Sequence, residues 1–366
     1  MTQSKTRVVA AMSGGVDSAV AAALLAESGY DVVGVTMKMY AQTRASFAKS
    51  CCGSDDFDDA RRSAAIIGIP HYVLDFEETF RGAVIERFAH EYAAGRTPNP
   101  CVSCNNFVKL GTLRNYARKL GAPFVATGHY ARLEQGDDGP HLFSSGDEKD
   151  QSYALSGLRR DQLEGLLLPL GGLTKEETRA HARRFGLPVH DKPESQDICF
   201  VEGGDYRDVL ERVAPAHEAA GAFVTTDGRE AGRHDGISGF TIGQRRGLPA
   251  SEGAPRYVTR IDAATKTIVI GYEDELNSEG LIADELNVIR PEAFACAPAP
   301  LRAAIRYRAR QVDASATLED GGSVRLVFAQ PQRAVTPGQL VALYAPSGKE
   351  VVGAATIRSA VFRSAV

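Results

Sequence analysis

Apolar runs and helix-like stretches alternate along the first 130 residues. Arg7–Ala11 reads as an apolar strand, and Asp17–Ser28, rich in Ala and Leu, as a helix closed by Gly29. Asp31–Met37 is the next strand, Asp55–Ile67 a helix and His71–Asp75 a strand. Glu77–Ala94 carries a long helical pattern ending at Gly95, Phe107–Leu120 another ended by Gly121, and Pro123–Thr127 a further strand. Strands that alternate with helices predict a parallel sheet covered on both faces. Ligands of such sheets bind beyond the carboxyl ends of the strands. Thr174-Lys-Glu-Glu177 is a capping box opening a helix to Phe185, with Gly186-Leu-Pro188 as its stop. Asp191–Val201 reads as a loop and strand.

The pattern changes near residue 204. Tyr206–Val213 reads as a short helix, and from Gly221 onward turns such as Asp227-Gly228 and Asp235-Gly236 separate short extended runs. Arg256–Ile261 and Thr267–Ile270 suggest a hairpin. Leu301–Arg308, Ser323–Phe328, Gln339–Tyr344 and Val351–Ile357 follow as strands, a spacing that suggests a small barrel. The expected architecture is α/β: a parallel-sheet domain over 1–203, a small central domain over 204–276 and a C-terminal β-barrel over 277–366.

Composition narrows the class. The 366 residues exceed one ordinary domain and can bury roughly three quarters of the unfolded surface without staples. Hydrophobic residues at 43% and charged residues at 24% are an ordinary soluble balance, with no apolar run of about 18 residues to span a membrane. The N-terminal MTQSKTRVVAAMSGG reads as a polar lead into a strand rather than a signal peptide, so a cytoplasmic location is expected. A formal charge of −4 gives no global attraction to nucleic acid, and any nucleic-acid face has to be a local patch.

The first chemical feature is Met12-Ser-Gly-Gly-Val-Asp-Ser18, between the first strand and the first helix. Gly14 and Gly15 allow the backbone close to a phosphate, and their N–H groups with the helix N-terminus behind them form an anion site. The Ser13 and Ser18 hydroxyls are further donors. Asp17 would repel phosphate unless Mg²⁺ lay between them. No Lys ends the loop, so it is not a Walker loop. It resembles the PP-loop of the ATP pyrophosphatases, which cleave ATP between the α- and β-phosphates. That resemblance implies Ala11, Met12, Ser13, Gly14, Gly15, Val16, Asp17 and Ser18 as ATP-binding residues. The plainer alternative is a glycine turn that packs a helix on a strand. Adenine is expected further along the same sheet edge, near Thr36 and Met37 and at Gly128 after Val125–Thr127.

The six cysteines are Cys51, Cys52, Cys101, Cys104, Cys199 and Cys296. In Arg96-Thr-Pro-Asn-Pro-Cys-Val-Ser-Cys-Asn105 two prolines hold the chain extended, and Cys101 and Cys104 form a CxxC before a helix, where a thiol is expected to be more acidic. Cys199 follows a polar loop in Pro193-Glu-Ser-Gln-Asp-Ile-Cys-Phe200. Cys296 reads as structural. Three chemistries fit Cys101, Cys104 and Cys199: a thiol–disulfide cycle, an iron–sulfur cluster on three thiolates, or a zinc site. Without a second CxxC, a zinc ribbon is disfavoured. Buried core thiols are the alternative.

SGGVDS, RTPNPCVSCN, ATGHYAR, KDQSY and ESQDICF occur in one order, followed by Gly239–Gly247, Ile305-Arg-Tyr-Arg308 and Thr336-Pro-Gly-Gln339. Together they resemble the tRNA-specific 2-thiouridylases over almost the whole chain. The resemblance implies ATP-dependent thiolation of the wobble uridine of tRNA, with Cys199 as the persulfide-bearing cysteine and Cys104 as the second catalytic cysteine. A Cys104–Cys199 disulfide would then be reopened by a thiol reductant. Sulfur would come from a persulfide sulfur-carrier protein or a cysteine desulfurase. Some members are reported to use an iron–sulfur cluster, for which Cys101, Cys104 and Cys199 are the candidate ligands. Asn99, Pro100, Cys101, His129, Lys149, Asp150, Gln151, Arg306, Tyr307 and Gln339 match tRNA contacts of the family. Many members have Asp where this chain has Cys101, which leaves open what supplies that acid/base role here. Arg302, Arg306, Arg308 and Arg310 around Tyr307, with Gln244-Arg-Arg246, suit phosphate contact and base stacking. A solvated strand face is the other reading.

Overall fold

The computed structural model describes residues 5–40, 54–193, 198–201, 205–213, 220–250 and 253–362. Cys51 and Cys52, and Glu194–Asp197 of the ESQDICF segment, lie outside them. The chain divides into two compact units, one of residues 1–84, 101–204 and 349–351, the other of 85–100, 205–348 and 352–366.

The first unit is built on the parallel sheet that the alternating pattern implies. Its strands are β1 (Arg7–Ala11), β2 (Asp31–Lys38), β3 (His71–Asp75), β4 (Phe124–Ala126) and β7 (Leu166–Leu167), in the order β3-β2-β1-β4-β7. Between β4 and β7 the chain inserts a hairpin, β5 (Ala131–Gly136) and β6 (Gly139–Ser144), which pairs with Glu350 and Val351. Val8, Val9 and Ala10 of β1 and Val32 to Met37 of β2 are buried, as strands covered on both faces require. Helix α1 (Val16–Glu27) is almost wholly apolar, and its Val16, Ala19, Val20 and Leu25 lie in the same core as Val8, Leu170 and Leu187. Helices α2 (Ser54–Ile67) and α3 (Lys175–Arg184) belong to this unit as well. The strand order reverses between β1 and β4, which places the loop after β1 at the switch point where such sheets take ligands.

The second unit holds a four-stranded sheet and a barrel. In the sheet, β8 (Gly221–Thr225), β9 (Glu230–His234), β10 (Tyr257–Asp262) and β11 (Thr267–Gly271) follow the order β10-β11-β8-β9 around Phe223, Ile237, Val258, Ile268 and Ile270. The barrel is antiparallel: β12 (Asn277–Val288), β13 (Ala299–Ala304), β14 (Val312–Glu319), β15 (Ser323–Arg333), β16 (Leu340–Tyr344) and β17 (Glu350–Val361). They run in the order β12-β15-β14-β13-β16-β17, and β12 pairs with β17 to close the ring. Closure pairs each of these six strands on both sides.

Three expectations change. The expected strand Leu301–Arg308 ends at Ala304, and Arg306–Arg308 form a turn with Arg308 at φ +59°. The expected loop and strand over Asp191–Val201 shows turns and irregular chain, without a strand, among its described residues. The helix expected from Phe107 begins at Pro100 and winds as a π-helix over Cys104–Leu113 before returning to α at Arg114–Lys119. Proline, with φ preset and no N–H to lose, starts a helix readily. The CxxC therefore lies inside the helix, not ahead of it.

Candidate functional site

The loop after β1 is held by its own serines. Ser18 Oγ accepts from the Ser13 N–H at 3.1 Å and donates to the Gly15 carbonyl at 3.1 Å, and Gly15 caps α1. The two glycines differ in what they permit. Gly14 has φ +76°, and a Cβ there would lie 2.3 Å from the Asp56 carbonyl oxygen, so it is the first turn of α2 that demands a glycine. At Gly15 a Cβ would meet only Ser13 Oγ, at 3.5 Å. Gly128 is likewise a close-approach position: its Cβ would lie 2.7 Å from the Asp17 carbonyl carbon, so β4 leaves the sheet directly against the first turn of α1. Thr36 and Met37 are buried, and Thr36 Oγ1 donates to the Met12 carbonyl at 2.8 Å while bonding to His71 Nε2 at 2.8 Å. Thr36 thus fixes the strand end ahead of the loop.

Two lysines that the sequence reading passed over complete this loop. Lys175 Nζ, on the first turn of α3, donates to both Asp17 oxygens at 2.7 and 2.8 Å, and Tyr130 Oη donates to Asp17 Oδ1 at 2.7 Å. Lys192 Nζ donates to the Gly14 carbonyl at 3.0 Å, to Asp56 at 2.5 Å and to Asp59 at 2.6 Å. Lys192, which precedes the Cys199 segment in the chain, is thus tied to the phosphate loop and to α2. The signal for Lys175 was present, since it follows Thr174 of the capping box, where Thr174 Oγ1 accepts from the Glu177 N–H. Lys192 carries no comparable mark.

Cys199 is half-buried and Phe200 is buried; the Phe200 ring packs edge-on against Phe80 at 5.9 Å, and Tyr40 Oη donates to the Cys199 carbonyl. Cys101 is exposed and Cys104 buried. Burial pushes the Cys104 thiol up, only partly offset by the positive charge of Lys109. At Cys104 desolvation of the buried thiolate runs against the more acidic thiol expected of the CxxC. Lys109 bonds to Asn105 Oδ1 at 3.0 Å, and the buried Asn105 is anchored to the Ala154 carbonyl at 3.0 Å.

The expected iron–sulfur cluster does not fit. Among the described residues no group of three or more His, Cys, Asp or Glu side chains is disposed to hold a metal ion, so Cys101, Cys104 and Cys199 do not gather as cluster ligands. At the phosphate loop both Asp17 oxygens already accept from an ammonium group, which disfavours a resident Mg²⁺ on that carboxylate.

The residues matched to RNA contacts are dispersed. His129 Nδ1 bonds to Thr127 Oγ1 at 2.7 Å, and burial, with the Lys109 charge second, pushes its imidazole down to about 3. Asp150 is occupied internally, accepting from Ser152 Oγ at 2.7 Å and the Ser145 N–H at 2.9 Å, and Gln151 Oε1 accepts from the Tyr130 N–H at 3.0 Å. Lys149 adjoins them on the same turn. In the second unit, Gln339 Nε2 donates to the Thr97 carbonyl at 2.8 Å and the Pro98 carbonyl at 3.4 Å, and the Thr97 N–H to the Pro337 carbonyl at 2.8 Å. The Thr336–Gln339 turn thus seats the strap that runs on through Asn99 and Pro100. Tyr307 is 41% exposed with Arg308 over its ring at 5.3 Å, and Arg306 donates to the Arg333 carbonyl at 3.3 Å. Of the arginines suspected of forming a strand face, Arg302 lies in β13, Arg306 and Arg308 lie on the turn, and Arg310 follows it.

Three family models match in series: the tRNA methyl transferase HUP domain over residues 6–203, the tRNA methyl transferase PRC-barrel domain over 207–272 and the aminomethyltransferase beta-barrel domain over 278–357. The tRNA-specific 2-thiouridylase MnmA of Acetivibrio thermocellus is 44% identical over 97% of this chain and 100% of its own length. That of Geobacter metallireducens is 44% identical over 98% of each chain, and that of Maricaulis maris 46% identical over 96% of this chain and 87% of its own.

Proposed function

The chain belongs to the tRNA-specific 2-thiouridylase family, and from that premise we propose that it replaces O2 of a tRNA uridine with sulfur at the expense of ATP. Uracil C2 is a weak electrophile with a poor leaving group. Bonding O2 to the α-phosphate of ATP expels pyrophosphate and turns that oxygen into part of AMP. The terminal sulfur of a Cys199 persulfide attacks C2, and AMP departs. Cys104 then attacks the Cys199 sulfur, releasing 2-thiouridine and leaving a Cys104–Cys199 disulfide, which a thiol reductant returns to two thiols. The persulfide is loaded by a sulfur-carrier protein or a cysteine desulfurase.

The observation that carries this reading is the Lys192 contact with the Gly14 carbonyl at 3.0 Å, which joins the segment leading to Cys199 to an anion-binding loop. ATP phosphates suit the Ser13–Ser18 loop, whose N–H groups open α1, with Ala11 and Met12 before it and Met37 and Gly128 on the adenine side. Cys104 is raised by burial, which suits a thiol that waits to resolve a disulfide while the persulfide, the more acidic sulfur, attacks first. The wobble uridine has to leave its stack to reach such a pocket. Asn99, Pro100 and Cys101 are assigned to that base. His129, Lys149, Asp150 and Gln151, with Arg306, Tyr307 and Gln339 of the barrel, are assigned to the rest of the tRNA. His129, held neutral, serves as a hydrogen-bonding group and not as a phosphate cation. The domains divide this work as 1–203 for catalysis, 204–276 as the central domain and 277–366 for tRNA binding, in the cytoplasm.

Methyl transfer, which the descriptions of two family models mention, is the second reading. Nucleoside mass analysis of tRNA from cells with and without the chain separates the two. Loss of a sulfur-for-oxygen exchange supports thiolation, whereas loss of a methyl group with thiolation intact refutes it.

A further inference from the structure

The sequence assigned Asp17 a metal, because a carboxylate beside phosphates needs a cation. The folded chain supplies a different one. Both Asp17 oxygens lie within 2.8 Å of Lys175 Nζ, and Tyr130 donates to the same carboxylate. The lysine side chain is 14% exposed and lies over the Tyr130 ring at 5.8 Å, while the Asp17 side chain is 32% exposed.

The position of Lys175 is unfavourable on local grounds. It is the first residue of α3, after a capping box that fixes the helix start at Thr174. The positive end of a helix disfavours a cation. Glu176 and Glu177, also in that first turn, follow the usual preference. A lysine among them that turns to a carboxylate 158 residues away is placed for Asp17 and not for its own helix. Asp17 in turn lies on the first turn of α1, whose N-terminus and loop N–H groups form the anion site.

We propose that Lys175 is the built-in counter-cation of the phosphate loop, a positioning residue that neutralises Asp17 so that the Ser13–Ser18 loop receives the phosphates of ATP without a resident metal. The proposal rests on the reading of that loop as an ATP site. With Lys175 in place, Asp17 and Lys175 sum to no net charge, and the helix terminus and loop donors decide the sign of the site. Without it, a carboxylate with no counter-charge, held by Tyr130 alone, faces the incoming phosphates.

The test is calorimetric binding of ATP to the full chain, once with EDTA and once with excess Mg²⁺. Wild type binds ATP in both. Lys175→Met weakens metal-free binding at least tenfold, about 1.4 kcal/mol, and weakens binding with Mg²⁺ much less, because the metal then supplies the missing charge. Lys175→Arg binds as wild type does. The double variant Asp17→Asn/Lys175→Met, which leaves no unpaired charge and so guards against misfolding of the single variant, recovers metal-free binding. Wild-type metal-free affinity in a folded Lys175→Met, equal losses with and without Mg²⁺, or no recovery in the double variant overturns the proposal. Failure of wild type to bind ATP in either buffer refutes instead the ATP reading itself.

Discussion

At the scale of single residues, what the site does is set by desolvation as much as by residue type. Cys104 has the sequence context of an acidic thiol and the burial of a weak one, and burial prevails. His129 shows the same effect with opposite sign: its burial disfavours the imidazolium and drives its value to about 3. The unfolded chain, with an ordinary histidine near 6.5, binds a proton that the folded chain refuses. Stability is therefore unaffected above about pH 6.5 and falls as the pH drops below it, by up to about 1.4 kcal/mol per pH unit from this group. In His129→Gln that contribution is gone. Denaturant unfolding compared between about pH 7 and pH 5 should show a smaller loss in the variant than in wild type, and equal losses would refute the assignment.

Elements were legible in the sequence to the extent that one periodicity governed them. β1 and β2 stand out because Val-rich runs buried on both faces leave no other assignment. The capping box at Thr174–Glu177 and the helix Tyr206–Val213 are found where the residues place them. Three features left weaker traces. The β5–β6 hairpin has its signal in the tight turn at Asp137-Asp138, flanked by Gly136 and Gly139, between runs too short and too polar to read as strands. The π-winding of Cys104–Leu113 changes which residues share a face without changing composition; Thr112 Oγ1 bonding to the Phe107 carbonyl at 3.2 Å, five residues back, is its mark in the structure. The reversal at Arg308, a non-glycine residue at φ +59°, has no sequence marker, so the pattern carries the strand from Leu301 on to Arg308. The candidate site was legible at Ser13–Ser18 and at the thiols, and not at Lys192, whose partners lie 133 or more residues away.

The Thr336–Gln339 turn gives a prediction at this scale. Gly338 has φ +89°, and a Cβ there would lie 2.9 Å from Arg96 Cβ and from the Thr97 nitrogen. Gly338→Ala on this backbone is therefore strained by about 1–2 kcal/mol and also presses its Cβ against the strap. Hydrogen exchange at the Thr97 amide, which donates to the Pro337 carbonyl at 2.8 Å, should become faster in the variant. Unchanged protection would show that the strap is not seated by this turn.

At the scale of the whole chain, a net charge of −4 leaves RNA recognition to local features. The second unit offers them: the exposed Tyr307 beside Arg308, the exposed Arg245 and Arg246, and Arg256 over the Tyr272 ring at 4.6 Å. Among the described residues no helix is long and apolar enough to cross a membrane. The anion loop, Lys192 and both thiols of the proposed cycle belong to the first unit. The account therefore stands or falls on whether ATP use in that unit is joined to sulfur transfer through Cys199. The direct measurement is 2-thiouridine formed on tRNA by the purified chain with ATP and a persulfide donor, compared with Cys199→Ser. The account predicts that the variant binds ATP as wild type does and forms no 2-thiouridine. Thiolated tRNA at the wild-type rate from Cys199→Ser would contradict it.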